Sequence, residues 1–383
     1  QKWQFFCFFY VQINTYKYIK LTNIQYIVIL NSLNNKKMIK LSQNELRYKL
    51  PEKISNINLS QEECSSYDGA KELNKKAIDN IRKRFNVSSQ NSIYLDYGAE
   101  KILMQIFNTL NKESKVLISN ITWSYYLKLI KAHTKNVDTY KIDEEQSSYN
   151  FNVEDLQSKI KNGNYNMVVI TTPLNPTGNS IEQSRLSETL ELCNDVDLVL
   201  LDEAYHGFDD SYNNQFLSDL VEKHDNLISV RTFSKLYAIA GIRIGYAISN
   251  SSLDTKFPDY NTYLGYSSFN SKTIISCLNH QNFYKDIQEK INSDKQALYD
   301  FFSQQKNWNA YKSNTNFILI KIPYQRKQEL KNYLKDKIAI KFFPENDQNL
   351  KDKIRISIGT QKETQIVIEE FQEFIKQKEN GNI

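Results

Sequence analysis

Apolar and polar positions follow one another along this chain with a period that changes more than once. Residues 41–68 are mostly polar, with Ile57-Asn58-Leu59-Ser60 extended. Over 70–85, apolar residues recur at helical spacing among lysines and arginines, which predicts a surface helix. Short apolar runs come next, at 92–95, 115–118, 167–170, 196–201, 227–230 and 242–248. Each has the length of a buried strand. Helical spacing follows three of them: from Gly98 to Leu110, from Thr122-Trp123 to about His133, and from about Ile181 to Cys193. Apolar strands alternating with helices predict an α/β fold with a mainly parallel sheet covered on both faces. After Asp254 the pattern changes. Helical stretches around 282–304, 325–336 and 362–377 alternate with strands at 317–320, 338–340 and 354–358, the signature of a smaller α+β domain. No internal repeat is visible.

The length of 383 residues suits two joined domains, and an apolar fraction of 40% supports a large core. The segment 1–37 differs from the rest. Its apolar run Phe5-Phe6-Cys7-Phe8-Phe9-Tyr10-Val11 is interrupted by Gln12 and Asn14, too soon to span a bilayer, and it lacks the form of a secretory signal. It reads as an extension ahead of a functional chain starting near Met38, with a membrane-surface anchor as the alternative. The net charge of +5 is small and evenly spread, which argues against nucleic acid as a partner. Cys7, Cys64, Cys193 and Cys277 are scattered, which suggests the reducing cytoplasm and no disulfide framework. With four well-separated histidines there is no metal-ligand spacing either, so no metal is expected.

The chemistry-bearing residues fall at the ends of the predicted strands, where ligands bind in such sheets. In Thr232-Phe233-Ser234-Lys235, two hydroxyls precede a lysine flanked by apolar sequence, and Arg243 comes eight positions later. A partly desolvated lysine is a usable amine nucleophile, and hydroxyls with an arginine fork suit a phosphate. A strand with an incidentally charged loop gives the same letters. Asp202 ends a strand and can hold a pyridine nitrogen protonated, or simply cap a helix. Tyr205 and Asn175 can both donate to a phenolic oxygen. The run Pro173-Leu174-Asn175-Pro176-Thr177-Gly178 also reads as a plain turn. Gly98-Ala99-Glu100 opens a helix after a strand and offers backbone N–H groups to an anion. Trp123, past another strand end, can stack on a ring or sit in the core. Arg355, bracketed by apolar residues, can clamp a carboxylate or face solvent. His206 reads as structural rather than as the base, because a released Lys235 can move the proton itself.

Taken together, these motifs resemble the fold-type I pyridoxal-phosphate enzymes of aminotransferase class I and II. The similarity is greatest to histidinol-phosphate aminotransferases and threonine-phosphate decarboxylases. Its carriers are Pro173-Leu174-Asn175-Pro176-Thr177-Gly178, Asp202-Glu203-Ala204-Tyr205, Thr232-Phe233-Ser234-Lys235, Ala240-Gly241-Ile242-Arg243-Ile244-Gly245-Tyr246 and Ile354-Arg355-Ile356-Ser357-Ile358-Gly359-Thr360. The resemblance runs from about Ile57 to Phe374.

The resemblance implies a seven-stranded sheet in a large pyridoxal-phosphate domain over 67–254. It further implies an arm over 38–66 and a small domain over 255–383. Lys235 is then the cofactor-bearing lysine, Asp202 faces the pyridine nitrogen, Asn175 and Tyr205 hold the phenolic oxygen, and Trp123 stacks. Gly98, Ala99, Glu100, Thr232, Ser234 and Arg243 hold the cofactor phosphate, and Tyr67 reaches the neighbouring subunit's phosphate in a homodimer. Arg355 takes the substrate's carboxylate or phosphate, and Lys341 stands where these enzymes tend to carry an arginine for the substrate phosphate. The family's amino-terminal substrate-binding segment falls on Ser60-Gln61-Glu62-Glu63-Cys64. The implied activity is transfer of an amino group between an amino acid or amino alcohol phosphate and a 2-oxo acid. A decarboxylase and a non-catalytic cofactor-binding regulator are the alternatives.

Overall fold

A computed structural model describes residues 38–208, 214–257 and 264–377, and the backbone of Phe9–Ile13 and Lys17–Leu21, which pair as antiparallel strands. The remainder of the predicted extension, 1–37, lies outside the described residues.

Seven strands form the central sheet: β1 Asn91–Asp96, β2 Lys115–Ser119, β3 Asn136–Tyr140, β4 Met167–Thr171, β5 Leu198–Asp202, β6 Leu227–Thr232 and β7 Gly245–Asn250. Their order is β1-β7-β6-β5-β4-β2-β3. β7 runs antiparallel to both neighbours and the other pairings are parallel. β4 and β5 are buried at every position, as expected of central strands covered by helices on both faces. On one face Ile106, Phe107, Ile130, Val169, Leu200 and Val230 pack together. On the other, Leu117, Val168, Ile170, Val199, Leu201 and Phe233 do so. Each such side chain contributes roughly 1.5–3 kcal/mol by leaving water.

Several elements depart from the sequence expectation, the helices Val153–Asn162 and Asn214–Lys223 among them, and three more bear on the site. The seventh strand, β3, has only Tyr140 fully buried, because it closes the sheet edge, so it gives no apolar run. The predicted strand over 242–248 begins later, at Gly245. Ala240–Ile242 form a 3-10 turn and Arg243 takes the left-handed conformation (φ 60°), which ends any strand there. The helix Ser268–Leu278 was not anticipated; it packs on the helix Tyr67–Phe85, whose amino end is capped by the Ser66 hydroxyl accepting from Gly69 N.

The carboxy-terminal part holds a four-stranded antiparallel sheet, Asn309–Ala310, Phe317–Lys321, Lys353–Ser357 and Lys341–Phe342 in spatial order. The helices Gln281–Ser303 and Gln361–Lys376 pack against each other beside it. Ile39–Lys40 pairs in parallel with Ile338–Ala339, so the chain just after Met38 is held by the carboxy-terminal part. From there it crosses to the carboxyl ends of the large sheet.

Candidate active site

Sheet order reverses between β2 and β4, and the crevice beyond their carboxyl ends is where a ligand fits. β5 lies beside it and ends on Asp202, which is buried. One carboxylate oxygen accepts the hydroxyl of Tyr126 and the other accepts Ala204 N at 2.9 Å. Burial, only partly offset by these donors, pushes the Asp202 carboxyl up to about 6. Among the described residues it has no ion-pair partner, so a buried carboxylate here favours a ligand that brings a proton.

Lys235 follows β6. Its ammonium donates to the backbone carbonyls of Gln43 and Asn44 at 3.2 and 3.4 Å and lies 5.7 Å from the centre of the Tyr205 ring. The hydroxyl of Tyr205 accepts the side-chain amide of Asn44 at 2.7 Å. Thus the segment Ser42-Gln43-Asn44 lies against the lysine and the tyrosine. The segment expected in that role, Ser60–Cys64, is instead the capped start of a short helix, Gln61–Ser65, which points elsewhere: Glu63 pairs with Lys272 at 2.7 Å. Sequence reasoning missed the arm's real position. The polar run Ser42-Gln43-Asn44-Glu45 was its only local sign.

An anion cradle lies at the start of the helix Ala99–Phe107. Gly98 has φ 87°, and a Cβ on it would stand 2.6 Å from Arg243 Nη2. Gly245, at the start of β7, allows still closer approach: a Cβ there would meet Ala99 N at 2.2 Å. Arg243 lies 3.6 Å from the Glu100 carboxylate and donates to Ala240 O at 3.1 Å. Ser234 N donates to Thr232 Oγ1 at 3.0 Å, and the two hydroxyl oxygens are 3.0 Å apart. Backbone N–H groups at a helix start, two hydroxyls and a half-exposed arginine together suit a phosphate.

Arg355 sits on Lys353–Ser357 facing the same crevice. Nη1 donates to Asn175 Oδ1 at 2.5 Å and Nη2 to Ser42 O at 2.8 Å, and its buried Nε has no partner. Burial lowers its pKa without discharging a guanidinium. Lys341, exposed, is its direct cross-strand partner. Trp123 stands just before the helix Ser124–Lys131 without a side-chain capping bond, is partly exposed, and meets Tyr126 edge-on at 5.7 Å. Tyr67 is exposed, so it serves no buried role within its own chain. His206 packs edge-on against Phe85, and burial with Arg231 and Arg84 nearby holds its imidazole well below the usual range. Its neighbour Glu203 is spent on Arg231, at 3.0 and 3.2 Å, beneath the crevice.

The family model for aminotransferase class I and II matches residues 36–371. The chain belongs to this family. It is a pyridoxal-phosphate-dependent aminotransferase. The chain is similar to histidinol-phosphate aminotransferase 1 of Bacillus thuringiensis, 26% identical over 350 residues, covering 89% of this chain and 90% of that protein. It is 28% identical to histidinol-phosphate aminotransferase of Methanosphaera stadtmanae over 247 residues, which is 64% of each. In fold it is similar to histidinol-phosphate aminotransferase from Sinorhizobium meliloti in complex with pyridoxal-5'-phosphate, with TM-score 0.74, 19% identity and coverage of 91% and 94%. A threonine phosphate decarboxylase from Porphyromonas gingivalis gives TM-score 0.70 at 17% identity, with 88% and 100% coverage. The crevice fits the cofactor on its own terms. The buried carboxylate of Asp202, without an ion-pair partner among the described residues, suits a protonated pyridine nitrogen, and the glycine-built cradle suits the phosphate.

Proposed function

We propose that this aminotransferase acts on a phosphorylated amino donor of the histidinol-phosphate kind and returns the amino group to a 2-oxo acid. The observation that carries this reading is the pair Arg355 and Lys341, directly opposed on neighbouring strands. They present a guanidinium fork and a second positive charge on one side of the crevice. A fork suits a carboxylate or phosphate bidentately, and a nearby ammonium adds affinity for a dianion. The similarity to named histidinol-phosphate aminotransferases supports the same substrate class.

In this reading Lys235 carries the cofactor and, once displaced by the donor, moves the proton at the donor's α-carbon. When bound, pyridoxal phosphate supplies an electron sink for the charge that develops at that carbon. Asp202 keeps a proton at the ring nitrogen, and Tyr126 holds Asp202 in place. Tyr205 and Asn175 donate to the phenolic oxygen. Trp123 covers the ring face. Gly98, Ala99, Glu100, Thr232, Ser234 and Arg243 hold the phosphate. The large domain spans 67–254 and the small domain 255–383, with the arm over 38–66 between them. The protein works in the cytoplasm as a homodimer, each exposed Tyr67 reaching the partner's phosphate site.

The test is a panel of half-reactions followed by absorbance, with histidinol phosphate, threonine phosphate and unphosphorylated amino acids as donors. Faster reaction with phosphorylated donors and no release of carbon dioxide supports the proposal. Carbon dioxide release from threonine phosphate favours the decarboxylase instead. Equal rates with and without the phosphate overturn the substrate assignment. In the same protein, borohydride reduction followed by peptide mapping should mark Lys235. Mixing inactive Lys235→Ala and Tyr67→Phe proteins should restore activity through hybrid dimers if the sites are shared.

A further inference from the structure

Asn44 closes a directed hydrogen-bond chain between the two parts of the molecule. Its backbone N–H donates to Ser357 Oγ at 2.8 Å, and the Ser357 hydroxyl donates back to Asn44 Oδ1 at 3.0 Å. With Oδ1 accepting, the amide can present only its nitrogen to Tyr205, and Nδ2 donates to the Tyr205 oxygen at 2.7 Å. Flipping the amide would make the Ser357 hydroxyl accept from two N–H groups, leaving its own proton unplaced, and would draw the Tyr205 proton to Oδ1. Asn44 is buried and takes φ 56°, a left-handed conformation that asparagine tolerates better than most side chains. Its carbonyl accepts from Asn316 at 3.0 Å and from Lys235 at 3.4 Å. Ser357 and Asn316 belong to the carboxy-terminal part, Tyr205 and Lys235 to the turns that follow β5 and β6 of the large sheet.

We infer that Asn44 is a positioning residue that sets the polarity of the Tyr205 hydroxyl. A phenol has one proton. Because its oxygen is already accepting from Asn44, that proton has to be donated elsewhere, and the open direction is the crevice. The inference rests on the proposed role of Tyr205 as a donor to the cofactor's phenolic oxygen. It adds that the direction of that donation is imposed by the arm and by Ser357, so a shift of the carboxy-terminal part changes the electronic state of the cofactor.

Asn44→Asp tests this by reversing the polarity. A carboxylate accepts the Tyr205 proton and withdraws it from the crevice. A phenolic oxygen that loses a donor holds more negative charge, which stabilises a proton on the nearby lysine-linked nitrogen. The midpoint of the pH titration of the cofactor's visible absorbance should therefore rise, by about 1 pH unit. Tyr205→Phe, measured alongside, should raise it as well. Ser357→Ala, which removes the lock on the amide and the acceptor of the Asn44 N–H but leaves the Asn44 amide itself, should give a smaller rise. It also serves as the reporter where Asn44→Asp does not fold. A rise in Tyr205→Phe with unchanged midpoints in Asn44→Asp and Ser357→Ala, the cofactor remaining bound, overturns the role of Asn44 and leaves that of Tyr205. No rise in any of the three overturns both.

Discussion

The hydroxyl of Tyr126 is bonded to the carboxylate of Asp202, and both side chains are buried behind the crevice. Tyr126 lies on the helix after β2, and Asp202 ends β5. The contact crosses the point where strand order reverses. It leaves Asp202 charged at neutral pH and without a cationic partner among the described residues, a costly state until a protonated ring arrives.

That cost has a pH signature. The Asp202 carboxyl is raised from 3.8 to about 6 by burial. Between those values the folded chain holds its proton more tightly than the unfolded chain does. The contribution of this group to stability is therefore greatest below pH ~4 and is lost as pH rises through ~6, a fall of about 3 kcal/mol. Thermal unfolding of the cofactor-free protein should show this decline, and cofactor-free Asp202→Asn should lack it. With cofactor present the effect should fall on the reaction rate. The substituted protein should keep much of its cofactor affinity but lose most of the single-turnover rate, because an amide holds the ring proton poorly. An unchanged single-turnover rate in Asp202→Asn refutes the catalytic assignment.

Two glycines, Gly241 in the 3-10 turn before β7 and Gly245 at the start of β7, make a matched pair. A Cβ on Gly245 would come 2.2 Å from Ala99 N, whereas one on Gly241 would meet nothing within 4 Å. Gly245→Ala should displace the helix start that forms the anion cradle, costing roughly 1–3 kcal/mol of stability. It should also weaken cofactor binding by at least about tenfold. Gly241→Ala should change neither. Denaturant unfolding measures the first effect and cofactor titration followed by absorbance the second. Equal affinities in the two variants would show that the cradle lies elsewhere.

How far the sequence alone reveals this site depends on where each contact is made. Asp202, Asn175, Thr232 and Lys235 sit at or just past the ends of apolar strands, so pattern and chemistry coincide there. Tyr126 does not stand out, because a tyrosine within Ser124-Tyr125-Tyr126-Leu127 reads as ordinary helix core. Asn44 is harder still. It meets Tyr205 and Ser357 across 161 and 313 residues, and a short polar run gives no sign of a distant partner. The strand β3 was hidden for a related reason. An edge strand needs few apolar side chains, and Asn136-Val137-Asp138-Thr139-Tyr140 has few.

Arg355 and Lys341 are expected to divide substrate recognition between them. Arg355 is buried, with two guanidinium nitrogens on Asn175 and Ser42 and a third unpartnered. A ligand anion that pairs with it in the closed crevice forms a desolvated, charge-assisted contact. Its loss in Arg355→Ala should cost roughly 2–5 kcal/mol, much of it from leaving the ligand charge unpaired. The contact exists in the ground state too, so the loss should appear mainly in KM for the 2-oxo acid and for the donor, with the absorbance of bound cofactor unchanged. Arg355→Lys should recover only part, since an ammonium cannot form the fork. Lys341 is exposed and therefore screened by solvent, and its charge matters only to a ligand that reaches past Arg355. Lys341→Ala should raise KM for phosphorylated donors by up to about tenfold, or about 1.4 kcal/mol, while donors without phosphate react as before. Added salt should weaken the Lys341 effect more than the Arg355 effect. If Arg355→Ala loses the cofactor instead, the arginine supports the fold of the crevice. If Lys341→Ala treats both classes of donor alike, the substrate phosphate is bound by other residues.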